Sequence, residues 1–244
     1  MRAIVPLAQA DPGAADEFTR DPGSGGSGCP ANDGICPGWA VENFDRYLEP
    51  TFEHLVLVSV SVVLGFGIAF ALALLSHRRR WLVPPILGTT GVLYTIPSIA
   101  FFFLLLPVTG RGTWTAIIAL TAYTLQIMYR NMIAGLNNVP EAAKESGRGM
   151  GMTERQLFWG VELPLATPEV IAGLRIATVS TVALATLAVF AGAGGLGGPI
   201  YADLNFKTNV LVAGGLAILM AIAFDLLLVA SQKLIAPWRQ VRPV

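Results

Sequence analysis

The sequence predicts an all-α integral membrane protein with about five transmembrane helices, and two observations lead to this fold class. Hydrophobic residues make up 54% of the 244 residues and charged residues only 13%, against about 25% charged residues in an ordinary soluble domain. The apolar residues are also concentrated in five long runs. A helix of about 20 residues crosses the roughly 30 Å hydrocarbon core of a bilayer, so each run is long enough to span it.

Each of the five apolar runs predicts one transmembrane span. In chain order the predicted spans are Leu55–Ser76, Val83–Val108, Thr115–Leu136, Glu169–Ala191 and Val210–Leu234. The second span contains Pro97, which removes a backbone hydrogen bond and is expected to kink or break the helix. An unwound segment can line a transport pathway, and a simple packing kink is the alternative. The candidate pathway residues are Thr95, Pro97, Ser98 and, in the third span, Asn131.

The first 40 residues differ in composition from the rest of the chain. They are rich in Gly, Pro and Ser, a composition typical of disorder. Cys29 and Cys36 are the only cysteines and are candidates for a disulfide, with two free thiols as the alternative. Apolar residues then recur at helical spacing in residues 41–53, which predicts an amphipathic helix on the outer surface. Residues 54–236 form the predicted transmembrane domain, and 237–244 a cytoplasmic tail.

The basic residues predict the orientation. The segment His77 to Arg80, the charged loop after the third span and the C-terminal end carry most of the Lys and Arg. Five spans place these regions on one side, and short cytoplasmic loops are enriched in Lys and Arg. The N-terminus is therefore expected outside and the C-terminus in the cytoplasm. The two histidines, His54 and His77, flank the first span and are expected at the membrane interface.

Three ionisable residues lie inside the predicted spans at similar depth. They are Arg130, Arg175 and Asp225. A charge inside the bilayer is costly unless it is paired, and the short Asp225 side chain cannot reach the membrane surface. We expect Asp225 to pair with Arg175, or failing that with Arg130. A structural ion pair without a transport role is the simpler interpretation of such a contact.

A charged stretch between the third and fourth spans is the most informative part of the chain. It reads ESGRGMGMTERQLFWGVELPLATP from Glu145 to Pro168. Thr153 and Gln156 have the spacing of a capping box, and glycines at 149 and 151 allow a tight turn. The pattern therefore predicts two short helices separated by a glycine turn.

This stretch resembles the "EAA" coupling loop of bacterial ABC-importer permeases, which binds the ATPase subunit. The family pattern requires a glycine six residues after its glutamate and an aliphatic-x-Leu-Pro ending. From Glu145 it fits at Gly151 and at Val161 to Pro164. The literal Glu-Ala-Ala at Glu141 lacks that ending, so it is interpreted as a chance match. The residues implied to contact the ATPase are Glu145, Ser146, Gly147, Arg148, Gly149, Met150, Gly151, Met152 and Thr153, within a coupling loop at residues 137–167.

The resemblance extends over roughly residues 45–235. The segments HLVLVSVSVVLGFGIAFALALL, TIPS, RNMIAGLNNVP and GAGGLGGPI together resemble permeases for glycine betaine, carnitine, choline and proline. The implied function is ATP-driven import of compatible solutes across the bacterial plasma membrane. The implied partners are two ABC ATPase subunits, a second permease that is identical or related, and an extracytoplasmic binding protein. A methionine-type permease or a secondary transporter are the alternatives.

Several other functions are not indicated. The chain has no Walker A motif, HExxH or GxSxG, so we expect no ATPase site, enzymatic activity or cofactor. The glycines at 192, 194 and 197 form a GxGxxG pattern, but no βαβ unit surrounds them. The resemblance instead implies a sharp turn near the mouth of the pathway. A net charge of zero gives no indication of nucleic-acid binding.

Overall fold

A computed structural model describes residues 35–202, 204 and 206–235. Cys29 and the predicted C-terminal tail lie outside the described residues, as does most of the predicted disordered segment. The described chain is helical, without a β-strand. The helices are α1 (Pro37–Glu42), α2 (Leu48–Arg78), α3 (Val83–Thr95), α4 (Ser98–Thr109), α5 (Thr113–Asn137), α6 (Glu141–Gly149), α7 (Glu154–Leu157), α8 (Leu163–Ala185), α9 (Gly197–Ala202) and α10 (Lys207–Ile235).

Four shorter turns connect these helices. Three are 3₁₀ turns, at Phe44–Tyr47, Arg80–Leu82 and Thr186–Ala191, and one is a π-helical turn at Phe158–Glu162. The all-α fold class is thus confirmed. The break in the second predicted span is also confirmed, because α3 ends at Thr95 and α4 begins at Ser98 with Pro97 as its N-cap.

The predicted count of five spans is not confirmed. Among the described residues, three continuous helical stretches are long and apolar enough to cross a membrane, and a fourth span is counted if α3 and α4 form one bent span. The predicted span that is missing from this count is the third, Thr115–Leu136, which corresponds to α5; this helix has 25 residues but carries Gln126, Arg130 and Asn131. These polar residues lower its hydropathy, while many of its other side chains are buried inside the protein.

The described helices divide into two compact units. The first contains the described residues up to Ser61, Ile96–Thr121 and Ser180–Ile222. The second contains Val62–Thr95, Ala122–Val179 and the described residues from Ala223 onwards. Each unit has its own polar and apolar contacts.

In the first unit, the segment before α2 packs on the start of α10. The hydroxyl of Tyr47, which is fully buried, donates to Asn209, and the Cys36 N–H donates to Thr208 Oγ1 at 3.0 Å. Helix α1 begins at Pro37, inside the segment predicted to be disordered, because proline suits the first helical turn. Trp39 then packs edge-on against Phe206, with ring centroids 4.7 Å apart.

The predicted amphipathic helix at residues 41–53 is not one continuous element. It is divided between the end of α1, the 3₁₀ turn and the first residues of α2. Its apolar residues Val41, Phe44, Leu48 and Phe52 are exposed on the chain, whereas Tyr47 points inward. An apolar face of this kind is suited to a lipid surface. The placement of this segment on the outer surface of the membrane stays a prediction.

In the second unit, α5 and α8 approach each other closely. A Cβ on Gly173 would lie 2.5 Å from Asn131 Cβ, and a Cβ on Gly135 would lie 2.9 Å from Glu169 Cβ. Small residues at such contacts let two membrane helices pack backbone to backbone. At the end of this helix pair, Leu136, Val139, Phe158 and Ala166 form a buried cluster. This cluster supports the connection between α5 and α8.

Candidate functional site

The connection between α5 and α8, residues 138–162, is a compact helical hairpin that we call the coupling hairpin. Helix α6 begins directly after Pro140, where the fixed φ of proline suits the residue before a helix. One face of α6 packs on the rest of the unit, with Lys144 and Gly147 buried. The opposite face carries charged and polar residues and is exposed. The amphipathic pattern of this short helix therefore holds it against the unit while leaving one surface free.

A tight turn separates α6 from α7. The Gly151 N–H donates to Arg148 O at 2.9 Å, and the Met152 N–H donates to Gly147 O at 3.1 Å. Gly151 has a φ of +80°, a conformation that costs an L-residue about 1–2 kcal/mol. The turn thus satisfies carbonyls at the end of α6 in the manner of a helix C-cap. Glycine at position 151 is required by this geometry.

The predicted capping box is confirmed. The Gln156 N–H donates to Thr153 Oγ1 at 3.4 Å, and the Thr153 N–H donates to Gln156 Oε1 at 2.8 Å. Each side chain satisfies a backbone donor that the first turn of α7 leaves free. The predicted arrangement of two short helices around the glycine turn is therefore present.

Gly147 has a different role from Gly151. It is buried on the inner face of α6, and a Cβ there would lie 2.6 Å from Leu157 Cδ1. Leu157 is fully buried at the end of α7. The absence of a side chain at Gly147 lets α6 and α7 pack directly on each other. The hairpin is consequently held together by close packing as well as by its turn.

Charged side chains add a second link between the two short helices. Arg148 lies 3.1 Å from Glu141 and 3.7 Å from Glu154, and Lys144 lies 3.3 Å from Glu141. Arg148, and then Lys144, hold the pKa of the Glu141 carboxyl below its usual value. Exposed ion pairs add little to stability, so their main effect here is to fix the pattern of charge on the surface.

The nine residues predicted to contact an ATPase extend from the second half of α6 through the glycine turn to the N-cap of α7. Seven of them are exposed, Met152 is half-buried and Gly147 is buried. The side chain of Met150 stands at the turn with 70% of its surface exposed, which is high for an apolar residue. Met is flexible and polarisable, and it suits a surface that binds another protein.

The end of the motif coincides with the start of α8. Leu163 is the first residue of α8 and Pro164 the second. They follow the π-helical turn within one continuous helical stretch that begins at Glu154. Glu141 lies on α6 one turn before Glu145 and contacts Lys144 and Arg148. The assignment of the ATPase contact to Glu145 rather than Glu141 stays a prediction.

Behind the hairpin lies a contact that the sequence did not predict. Glu162, on the π-helical turn, is 5% exposed, and its Oε2 lies 3.4 Å from His77 Nε2 at the end of α2. The His77 ring also packs on Phe158, with centroids 4.6 Å apart. His77 was expected at the membrane interface. The motif leaves position 162 free for any residue, so it gave no signal for a buried carboxylate.

A small cavity of about 30 Å³ adjoins this contact. Its lining includes Ser76, His77, Arg80, Lys144 and Glu162. A cavity of this size has room for water. The Ser76 hydroxyl is 2.6 Å from the Tyr129 hydroxyl, which connects α2 to α5 beside the cavity.

The structure brings Arg175 and Asp225 together. The Arg175 guanidinium donates from Nε and Nη2 to the two Asp225 carboxylate oxygens at 2.8 and 2.9 Å. This bidentate geometry is the strong form of an arginine–carboxylate contact. Each side chain is 33% exposed on this chain, so the pair is less buried than expected. The second-choice partner, Arg130, is an exposed residue of α5.

The predicted pathway residues have locally satisfied polar groups. The Thr95 hydroxyl donates to Val92 O at 2.7 Å, and the Asn131 amide donates to Ile127 O at 2.8 Å. Thr95 and Pro97 are exposed, while Ser98 and Asn131 are half-buried. The broken helix is present, and the role of these residues in a pathway stays a prediction.

The glycine-rich segment at residues 192–198 belongs to the first unit. Gly192 and Gly195 have φ values of +80° and +106°, and the Gly195 N–H donates to the Glu53 carboxylate at 3.0 Å. His54 is also fully buried and lies 3.1 Å from Val182 O, so it packs inside the protein, and its position at the membrane interface stays a prediction. The segment is a sharp turn packed against the start of α2.

These observations define a class of protein. The chain is a polytopic membrane protein that presents an amphipathic helical hairpin between two of its helices. It belongs to the family described as binding-protein-dependent transport system inner membrane component, whose model matches residues 61–241.

Individual relatives and solved structures agree with this family. The carnitine transport permease protein OpuCB of Listeria monocytogenes is 40% identical over 174 residues, which are 71% of this chain and 80% of the relative. The osmoprotectant import permease protein OsmW of Salmonella typhimurium is 38% identical over 206 residues, covering 82% and 96%. An inward-facing structure of the MetNI methionine ABC transporter has a TM-score of 0.64 at 23% identity, covering 75% of this chain and 95% of that one. The last similarity concerns the fold alone.

Proposed function

We propose that this chain is the permease subunit of an ATP-driven importer of compatible solutes, with quaternary ammonium osmoprotectants as its substrate class. The observation that carries the proposal is the coupling hairpin, which has an exposed surface formed by Glu145 to Thr153. The substrate class is supported by two relatives at 38–40% identity, a carnitine transport permease and an osmoprotectant import permease.

The proposed mechanism requires an external source of energy. Two ABC ATPase subunits bind and hydrolyse ATP, and each grips one hairpin through the surface between Glu145 and Thr153. Their closure moves the hairpins, the helices rock, and a central pathway opens to each side in turn. One copy of this chain provides half of that pathway, so a second permease, identical or related, completes it.

The remaining parts of the proposal concern orientation and delivery. The Lys and Arg distribution supports an extracytoplasmic N-terminus and a cytoplasmic hairpin. A binding protein on the outer side delivers the solute to the permease. Selection of a quaternary ammonium ion by cation–π contacts takes place on that binding protein. The break at Thr95 to Ser98, with Asn131, lines the proposed pathway.

The test uses the reconstituted complex of permeases, ATPase and binding protein in proteoliposomes. Glu145→Lys and Gly151→Arg are expected to abolish ATP-driven glycine betaine uptake, since each changes the surface that the ATPase grips. Both chains should still accumulate in the membrane. Gly160→Ala is the matched control, because Gly160 has open space around it on the π-helical turn and lies outside the proposed contact. Normal uptake in both variants would refute the assignment.

The solute is tested separately with the unmodified complex. Stimulation of ATP hydrolysis is compared for glycine betaine, carnitine, choline, proline and methionine. We expect the quaternary ammonium compounds to stimulate the activity most. Stimulation by methionine alone would favour the alternative of a methionine permease. Uptake that persists without ATP and follows an ion gradient would instead indicate a secondary transporter.

A further inference from the structure

Glu162 and His77 form a contact behind the coupling hairpin, and the role that we infer for this contact rests on the proposed function. Glu162 occupies the one position between Val161 and Leu163 that the coupling motif leaves free. In this chain the position carries a carboxylate whose side chain is only 7% exposed. Burying a carboxylate is costly unless a counter-charge compensates it. An apolar side chain would fill the same space without this cost, so the Glu162 carboxylate needs a partner of opposite charge.

The structure supplies one partner within ion-pair distance. Among the described residues, the basic group within 4 Å of the Glu162 carboxylate is the His77 imidazole, whose Nε2 lies 3.4 Å from Glu162 Oε2. Lys144 and Arg80 line the same cavity, but the Lys144 ammonium lies 3.3 Å from Glu141. Tyr129 faces the site through its hydrogen bond with Ser76. Of the groups around Glu162, the imidazole of His77 is therefore the one placed to pair with its carboxylate.

The position of this pair gives it a mechanical consequence. The hairpin is joined through the chain to α5 and α8, but α2 is remote from it in sequence. Near the hairpin, α2 contacts it through His77, which touches Glu162 and Phe158. Two apolar contacts add to this: Leu74 packs against the cluster that contains Phe158, and the ring of Phe70 lies 6.2 Å from that of Trp159. Of these contacts, the His77–Glu162 pair is the polar and directional one. A displacement of the π-helical turn therefore reaches the end of α2 through it.

We propose that His77 and Glu162 are positioning residues of the transport cycle, and that their ion pair makes α2 follow the movement of the coupling hairpin. A hairpin that is less firmly connected to α2 then carries fewer solute molecules per ATP hydrolysed, because the ATPase moves the hairpin without moving the helix.

A double-mutant cycle on the reconstituted complex tests this link. The variants are His77→Gln, Glu162→Gln and the double variant, and the readout is the number of solute molecules transported per ATP hydrolysed. Each single variant is expected to lower the ratio about fivefold, the lower end of typical coupling between sites. The double variant should be no worse than either single one. Additive losses, or an unchanged ratio with only a lower yield of complex, would overturn the proposal.

The charge at position 77 gives a readout that a purely structural role would not change. His77→Arg keeps a permanent positive charge beside Glu162 and should retain more of the transport ratio than His77→Gln. Arg79→Gln, next to the same end of α2, should leave the ratio of the unmodified complex unaltered. Equal ratios for His77→Arg and His77→Gln would contradict the link. An unmodified complex that transports no solute would refute the proposed function instead.

Discussion

The coupling hairpin and the glycine-rich segment at residues 192–198 are both glycine-containing turns between helices. They differ in how much space surrounds their glycines. In the hairpin, Gly149 and Gly151 have no atom near the place of a Cβ. In the other segment, a Cβ on Gly194 would lie 1.9 Å from Glu53, and one on Gly197 would lie 2.0 Å from Thr186 O. The first turn leaves open surface around its glycines, and the second is closed on its own chain.

Their charges differ in the same way. The hairpin carries exposed side chains, including Glu145 and Arg148, on a surface free to meet a partner. The glycine-rich segment is apolar, and the carboxylate of Glu53 accepts a hydrogen bond from its backbone. Glycine content alone therefore does not identify a docking surface, whereas the open space and exposed charges around the glycines do.

The largest expected effect is at the closed turn. Gly197→Ala places a methyl group against the backbone carbonyl of Thr186, which cannot move as a side chain can. Overpacking of this kind costs about 1–3 kcal/mol or more. We expect strongly reduced folded protein, measured as the monodisperse fraction in size-exclusion chromatography of detergent extracts. Gly198→Ala is the neighbouring control with open space, and equal yields for the two variants would break the comparison.

The next effect concerns charge at membrane depth rather than on the exposed hairpin. Asp225→Asn leaves the Arg175 guanidinium without its counter-charge, so thermal stability of the purified chain should fall. Arg175→Gln in the same chain should restore part of the loss, because the stranded charge is removed. Arg130→Gln serves as the control. If the double variant is less stable than Asp225→Asn alone, the pair is not the reason for the loss.

A smaller effect is expected at the one hairpin glycine that is packed. Gly147→Ala brings a Cβ against the end of the Leu157 side chain, which can shift. Overpacking is therefore offset in part by the better helix propensity of alanine, and we expect a net loss of about 1 kcal/mol. Gly149→Ala should be neutral or stabilising. The stabilities of the two variants are compared by thermal unfolding. A loss of stability in Gly149→Ala alone would show that Gly149, and not Gly147, is the packed glycine.

The local features of the hairpin could be predicted from the sequence, because they depend on residues close together in the chain. The capping box of Thr153 and Gln156 is such a feature, and so is the helix break at Pro97. The partner of Asp225 was also among the predicted choices, since depth in the membrane limits the candidates. Contacts that depend on how distant helices pack were missed. The pairing of His77 with Glu162 joins residues with no shared motif.

The span count shows a second limit of sequence reasoning. Hydropathy identifies helices that face lipid, because such helices are apolar on most sides. Helix α5 has many side chains buried within the protein and carries polar residues such as Gln126, which accepts from Thr90 at 2.6 Å. Its role as a span therefore depends on its packing and cannot be decided from composition.

The most direct test of the central claim is site-specific cross-linking to the ATPase. In chains with Cys29 and Cys36 replaced by serine, single cysteines are introduced by Glu141→Cys, Glu145→Cys, Met150→Cys and Gly198→Cys, and a short bifunctional reagent is added to the assembled complex. We expect cross-links to the ATPase from positions 145 and 150 and none from 198. Cross-linking from 141 in place of 145 would show that the register is wrong. Cross-linking from 198, with none from 145 or 150, would contradict the claim that the hairpin is the docking surface.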